Sequence, residues 1–229
     1  MKIGILGTGV VGRTLAEKLS QLGHLVMIGT RDKEKTLVQK DNEQPSFSEW
    51  LKDNSKIKLG GLSEAASFGE LLINATQGVG SIEALKLAGE KNLAEKILLD
   101  ISNPLDFSKG MPPSLTISNT DSLGEQIQKA FPKIKVVKSL NTLSAYLMIN
   151  PALLPEPTNI FLNGNDMEAK TQVRRLLNSL GWNDKVIIDM GDITTARGTE
   201  QLLPIWVRLW GVLQTPIFNF KIVVGDTTK

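Results

Sequence analysis

The chain has no cysteine, one histidine and one tyrosine among its 229 residues. Without cysteine, disulfides, thiolate metal sites, cysteine nucleophiles and redox-active thiols are excluded, and no metal site is expected. No stretch of about 18 apolar residues occurs, so no transmembrane helix is expected. A net charge of +2 offers no excess of one sign to draw nucleic acid or an acidic membrane. The amino terminus, MKIGILGTGVVG, is apolar but has four glycines by position 12 and no small-residue cleavage site. It reads as a buried strand and turn rather than a signal peptide. What remains is a soluble, cytoplasmic chain long enough for one large α/β domain, or a nucleotide-binding domain with a smaller companion.

What is present alternates. Lys2–Leu6 reads as a strand, Val10–Leu22 as a helix with apolar Val10, Leu15, Leu19 and Leu22, ended by Gly23, and Leu25–Ile28 as a second strand. Asn42–Asn54 is polar, with Trp50 and Leu51 as anchors of a short helix. Strands are predicted at 56–59, 71–75, 97–101 and 134–139, separated by helices at 62–68, 81–90 and 122–131. Continuous apolar runs between amphipathic helices predict a doubly wound, Rossmann-type parallel sheet covered on both faces. Further strands at 159–162 and 186–189 flank a helix over 167–180, and one long apolar helix over 199–213 carries Trp206 and Trp210. The proline-rich stretch NPALLPEP suggests a boundary, giving a Rossmann domain over 1–141 and a smaller α/β part over 142–229.

Gly7-Thr8-Gly9-Val10-Val11-Gly12 joins the first strand to the first helix. Each glycine has a separate role. Gly7 makes the tight turn, Gly9 admits a pyrophosphate to the backbone, and Gly12 lets helix and strand pack closely. The helix N-terminus then offers free N–H groups to the phosphates. Some 20 residues on, VMIGTRDKEK contains both an Arg and an Asp. Counting from the last glycine lands on Asp32 and points to NAD. Strand register instead places Gly29 where a ribose-binding carboxylate would stand, leaving room for a 2′-phosphate. Thr30 then donates a hydroxyl hydrogen bond, Arg31 clamps the phosphate, Lys35 adds a second cation, and Asp32 starts a helix. NADP is the expected cofactor.

Candidate acids and bases are few. His24 lies in a turn between the first helix and second strand, and Tyr146 is followed four residues on by Asn150 rather than Lys. Lys138-Ser-Leu-Asn141 has the Lys-x-x-Asn spacing of β-hydroxyacid dehydrogenases, but continues an apolar strand. A chain with no clear proton donor suits hydride transfer to another redox cofactor, which mainly needs orientation and water exclusion. Three loops at strand carboxyl ends should face the nicotinamide: Asn74-Ala75-Thr76-Gln77, Ser102-Asn103-Pro104 and Asn141–Ala145.

Taken in order, GTGVVG, GHLVMIGTRDKEK, DISNPL, KVVKSLNTLSA, FLNGND and LLPIWVRL resemble the NADP oxidoreductases dependent on the deazaflavin coenzyme F420. They are also similar to the cytosolic oxidoreductase domains of six-transmembrane metalloreductases. The resemblance implies a Rossmann domain whose smaller C-terminal part closes over a second cofactor. It matches Thr30, Arg31 and Lys35 to 2′-phosphate contacts, puts Thr8 near the nicotinamide, and puts Asn103 and Ala145 on loops touching the ring or its amide.

The expected function is hydride transfer between NADP(H) and a deazaflavin or flavin-type acceptor. Gly7, Thr8, Gly9, Val10, Val11, Gly12, Thr30, Arg31, Lys35, Ala75 and Asn141 would bind the dinucleotide, and Thr8, Thr76, Asn103 and Ala145 would position the nicotinamide. No side chain is assigned as acid or base. Two alternatives stand beside it: a β-hydroxyacid-type dehydrogenase using Lys138, and a non-catalytic NADP sensor. The expected partner is a small redox acceptor, with neither nucleic acid nor membrane. The Trp206–Trp210 helix either packs on the sheet or also forms a homodimer interface.

Overall fold

In a computed structural model, which describes residues 1–38 and 45–225, the apolar runs become the strands of one eight-stranded sheet. β1 (Lys2–Leu6) is buried from Ile3 onward, as a strand covered on both faces must be. α1 (Val10–Gln21) buries Gly12, Leu15, Ala16 and Leu19. Val10 and Leu22, expected on that stripe, are about two-fifths exposed. Val10 sits at the helix's open amino end, and Leu22 lies past the last turn, just before Gly23 at φ +86° ends the helix.

β2 (Leu25–Thr30) runs two residues beyond its apolar stretch because Gly29 and Thr30 pair with Gly60 and Gly61 of β3 (Lys58–Gly61). Between them lie α2 (Lys33–Val38) and α3 (Phe47–Asp53). Ser46 and Glu49 form a capping box on α3, and Phe47 and Trp50 are its buried anchors. The helix therefore starts later than the polar stretch from Asn42, whose residues 42–44 lie outside the described ones.

α4 (Leu62–Phe68), β4 (Leu71–Asn74), α5 (Gly78–Ala88), the single turn α6 (Glu90–Leu93) and β5 (Ile97–Asp100) continue the alternation. A small hairpin that the sequence pattern does not predict, β6 (Leu105–Asp106) with β7 (Ser114–Leu115), follows β5. Strands of two residues are too short for periodicity to reveal. α7 (Leu123–Ala130), capped by Ser122, leads to β8 (Lys135–Lys138) and α8 (Ala145–Ile149). β9 (Ile160–Asn163), α9 (Met167–Ser179) and β10 (Ile187–Gly191) follow. The helix expected over 199–213 is two helices, α10 (Ala196–Gln201) and α11 (Leu203–Leu213). Pro204 has no N–H for the carbonyl of Glu200, so the pattern breaks there.

The strand order is β10-β9-β8-β5-β4-β1-β2-β3. All pairs are parallel except β8–β9, which meet antiparallel at one residue pair, Lys138 with Asn163. The strands after residue 141 thus extend the same sheet. Ile3, Ile5, Leu15, Leu19, Val173 and Leu177 belong to one apolar layer, and Leu6, Leu72, Leu85 and Ile127 to another. That is the doubly wound arrangement, with α1 and α9 over one face and α4, α5 and α7 over the other. Among the described residues no helix is long and apolar enough to cross a membrane.

The chain turns from β1 outward to β2 and β3, then returns to β4 on the other side of β1. This reversal leaves a crevice beyond the carboxyl ends of β1 and β4, where open α/β sheets bind their ligands.

Candidate functional site

The glycine turn lies at that crevice. Gly7 has φ +122°, and a Cβ there would stand 2.5 Å from the Ala75 carbonyl oxygen. A Cβ on Gly12 would stand 2.2 Å from the Gly7 carbonyl oxygen, so α1 rests directly on the turn. Gly9 differs, since a Cβ there meets nothing within 4 Å. The protein's own packing does not require glycine at this N-cap; a phosphate brought against the backbone would. The first-turn N–H groups of α1 have no helical acceptor and carry the positive end of a twelve-residue helix. Open space, free donors and positive potential together fit a pyrophosphate. Arg13 braces the turn: its Nε donates to the Thr8 carbonyl at 3.0 Å, and its guanidinium lies 5.1 Å from the Phe47 ring centre.

The loop after β2 corrects one reading. Gly29 does not vacate a ribose site. It is buried, and a Cβ there would lie 2.8 Å from Ala65 Cβ and 3.2 Å from Leu62 Cα, so its missing side chain lets α4 lie on the sheet. The strand instead ends at Thr30, whose hydroxyl is 2.7 Å from that of Thr36. Thr36 donates to the Asp32 carbonyl at 2.7 Å. Thr30 therefore helps hold the loop at the end of the strand. Asp32 starts α2 as expected, accepting from the Lys35 N–H at 2.9 Å. Lys33 is paired with Glu64 at 3.2 Å. Arg31 and Lys35 are exposed and have no side-chain partner among the described residues, so their cationic ends are open to an anion.

Beside the turn, a cavity of about 370 Å³ is lined by Val11, Ala75, Thr76, Ile101, Asn103 and Phe107 among others. Two of the three expected loops meet in its wall. Gly78 brings them together, since a Cβ there would lie 2.0 Å from the Asn103 carbonyl oxygen. Thr76 Oγ1 is 2.7 Å from both Asn74 Oδ1 and Ser81 Oγ. The third loop joins through Asn103, whose Nδ2 donates to the Asn141 carbonyl at 2.8 Å while Asn141 Nδ2 donates back to Asn103 Oδ1 at 3.0 Å. Ala145 begins α8, is buried, and lies outside the cavity wall. Asp106 is on the wall, its carboxyl held below the usual carboxylate range by the Ser108 N–H and hydroxyl and by Lys109, against the effect of burial.

Lys138 ends β8 beneath this wall and is fully buried. Its Nζ lies 2.8 Å from Asp100 Oδ2, 2.9 Å from Glu200 Oε1 and 2.5 Å from the Ser102 carbonyl oxygen. Burial would push its pKa down, but Asp100 and Glu200 outweigh this and raise it, so it is a committed ammonium. Asp100 and Glu200 are not evident from the sequence because one sits in an apolar strand and the other 62 positions beyond Lys138. Glu200 also accepts from the Leu123 and Gly124 N–H groups at 2.8 and 3.0 Å, capping α7. Its neighbour Thr199 accepts from Asn141 Nδ2 at 3.2 Å through its carbonyl. His24 packs beside the chain's amino terminus, Nδ1 to N 3.4 Å, where burial and that positive charge lower its pKa. Tyr146 is half exposed on α8.

A family model described as "NADP oxidoreductase coenzyme F420-dependent" matches residues 2–104. A crystal structure from Arthrobacter sp. FB24, of a candidate F420-dependent NADP reductase, is 55% identical with a TM-score of 0.93, over 98% of this chain and 100% of that one. Metalloreductase STEAP3 of Rattus norvegicus is 29% identical over 214 residues, which cover 90% of this chain and 38% of that protein. The chain thus spans about two-fifths of that metalloreductase. An imine reductase from Myxococcus stipitatus in complex with NADP+ has the same fold at 16% identity, with a TM-score of 0.64 over 93% of this chain and 64% of that one.

Proposed function

The chain belongs to the coenzyme F420-dependent NADP oxidoreductases, and from that premise we propose that it moves a hydride between NADP(H) and a flat deazaflavin or flavin-type acceptor. When bound, NADPH supplies the hydride from nicotinamide C4, and a flavin-type acceptor brings the ring system that receives it. The protein's residues bind, orient and exclude water. The α1 N-terminus with Gly7, Thr8, Gly9, Val10, Val11 and Gly12 takes the pyrophosphate, and Arg31 and Lys35 take the 2′-phosphate. Ala75, Thr76, Asn103 and Asn141 form or brace the wall along the nicotinamide. Ala145 acts from α8, through the backbone of the loop it ends.

One observation carries the choice of acceptor: the cavity wall supplies no proton. Asp106, the ionisable side chain on it among the described residues, is held in its charged form, and Lys138 is locked below. Reducing a small carbonyl needs an acid at the oxygen. A flavin-type ring needs orientation and dryness first. The β-hydroxyacid reading loses Lys138, whose buried ammonium is held by Asp100, Glu200 and the Ser102 carbonyl. A cytoplasmic setting goes with this reading, as does a second copy of the chain against α11, whose Ile205, Trp210, Val212 and Leu213 are exposed.

The test is anaerobic mixing with NADPH and either FMN or a deazaflavin, following loss of NADPH absorbance. Acceptor reduction is expected. NADPH consumption only with a small carbonyl compound would overturn the reading, and tight NADP binding with no turnover would favour the sensor.

A further inference from the structure

The buried cluster beneath the cavity wall carries unbalanced charge. Asp100 Oδ1 accepts from Asn74 Nδ2 at 2.8 Å, from the Ser102 N–H at 3.2 Å and from the Ser102 hydroxyl at 2.6 Å, while Oδ2 accepts from Lys138. Glu200 accepts from Lys138 and from two backbone N–H groups. Every one of these partners is a donor, so both groups are bound as carboxylates. Their side chains are 0% and 2% exposed. Two carboxylates face one ammonium, which leaves one unit of negative charge over. The positive end of α7, on which Glu200 sits, offsets about half a unit of it. The remainder has no counter-cation within the cluster.

Ser102 connects this charge to the cavity. It lines the wall, gives its carbonyl to Lys138 and gives both its N–H and its hydroxyl to Asp100. A nicotinamide gains a positive charge when it gives up a hydride, whereas the reduced ring is neutral. We infer that the Asp100–Lys138–Glu200 cluster is a positioning and tuning device that favours the oxidised ring, so the protein binds NADP+ more tightly than NADPH and makes the bound couple a stronger reductant. The inference rests on the NADP(H) reading of this cavity. On the protein it favours the step in which the hydride leaves NADPH for the acceptor, while the equilibrium between the free species is unchanged.

The device also reports on the C-terminal part. Glu200 and Thr199 are consecutive on α10, and each reaches a different wall loop, one through Lys138 to Ser102 and the other through Asn141 to Asn103. A shift of α10 alters the charge beneath the ring and the loop beside it together.

Dissociation constants of NADP+ and NADPH, measured by titration calorimetry on the full chain, test this without turnover. The intact protein should hold NADP+ more tightly. Glu200→Gln and Asp100→Asn each remove one negative charge and should bring the two constants together. A shift of about three- to ten-fold in their ratio is the scale for one charge across a protein wall, or about 15 to 30 mV for a two-electron couple. Lys138→Arg keeps the charge and should leave the ratio near that of the intact protein. The ratio counts only folded, binding-competent molecules, so lost stability does not imitate the effect. Equal weakening of both forms in the carboxylate variants, or tighter binding of NADPH by the intact protein, would overturn the inference while leaving the NADP(H) reading intact. Binding of neither form would overturn both.

Discussion

Replacing Arg31 by alanine should separate the two nicotinamide cofactors. Arg31 follows the last residue of β2, is exposed and has no partner among the described residues, so its removal breaks no contact with any of them. Folding stability should therefore stay within about 0.5 kcal/mol of the parent. The loss falls on the ligand. A charge-assisted hydrogen bond is worth about 1.5–3 kcal/mol, and solvent screening at an exposed site favours the lower end. Lys35 remains as a second cation. NADPH affinity should thus fall about ten-fold, and NADH, which lacks the 2′-phosphate, should be nearly unaffected. Fluorescence titration of both dinucleotides reads this directly, and raising the salt should shrink the difference between parent and variant. Asp32→Ala is the control. It removes the cap of α2, costing about 1 kcal/mol of stability, and should leave the preference for NADPH in place. Equal loss of both cofactors in Arg31→Ala, or a switch of preference in Asp32→Ala, would refute the assignment.

Other outcomes follow from the same geometry. Gly29→Ala should lower the unfolding free energy by about 1–3 kcal/mol in a denaturant titration, because α4 must move off the sheet, without changing cofactor preference. Lys138→Met leaves two buried carboxylates unpaired and should destabilise the chain by about 3–5 kcal/mol in urea unfolding. Asp166 caps α9, and the Ala169 N–H and then Lys135 hold its pKa below the ordinary 3.8. A depressed folded value means its contribution is present above the unfolded value and lost as pH falls through the folded one. Asp166→Ser keeps a cap and should remove that acid-side loss from a stability–pH curve. Light scattering should give twice the 25.0 kDa of one chain, and Val212→Glu should return the mass to a single copy.

The phosphate turn is legible in the sequence because its demands are local. Gly12 answers to the Gly7 carbonyl five residues back, Gly9 to open space at the helix start, and the order strand, turn, helix is written consecutively; only Gly7, against the Ala75 carbonyl, has a distant constraint. Asp32 is legible for the same reason, since its cap partner is three residues on. Gly29 misleads because its constraint is α4, more than thirty residues later, and nothing near it in the chain records that helix lying against the strand. The Lys138 cluster is hidden in a similar way. Lys-x-x-Asn spacing suggests a reactive amine, whereas Asp100 and Glu200 come from 38 positions before it and 62 after. The break between α10 and α11 needs only Pro204, but the surrounding apolar run masks it.

The meeting of β8 and β9 at a single antiparallel pair has a consequence for cooperativity. Elsewhere in the sheet a strand is tied to its neighbour by a ladder, but here the backbone contributes almost nothing. The join is made by a side chain, Asn163 Nδ2 to the Lys138 carbonyl at 3.2 Å, while Glu200 ties Lys138 to α10, which follows β10 in the chain. Amide exchange should therefore see two units in one sheet. The strands from β3 to β8 should open together at the global free energy, with β9 and β10 exchanging through a cheaper opening of their own. Neutralising Glu200 should widen the gap between the two rates.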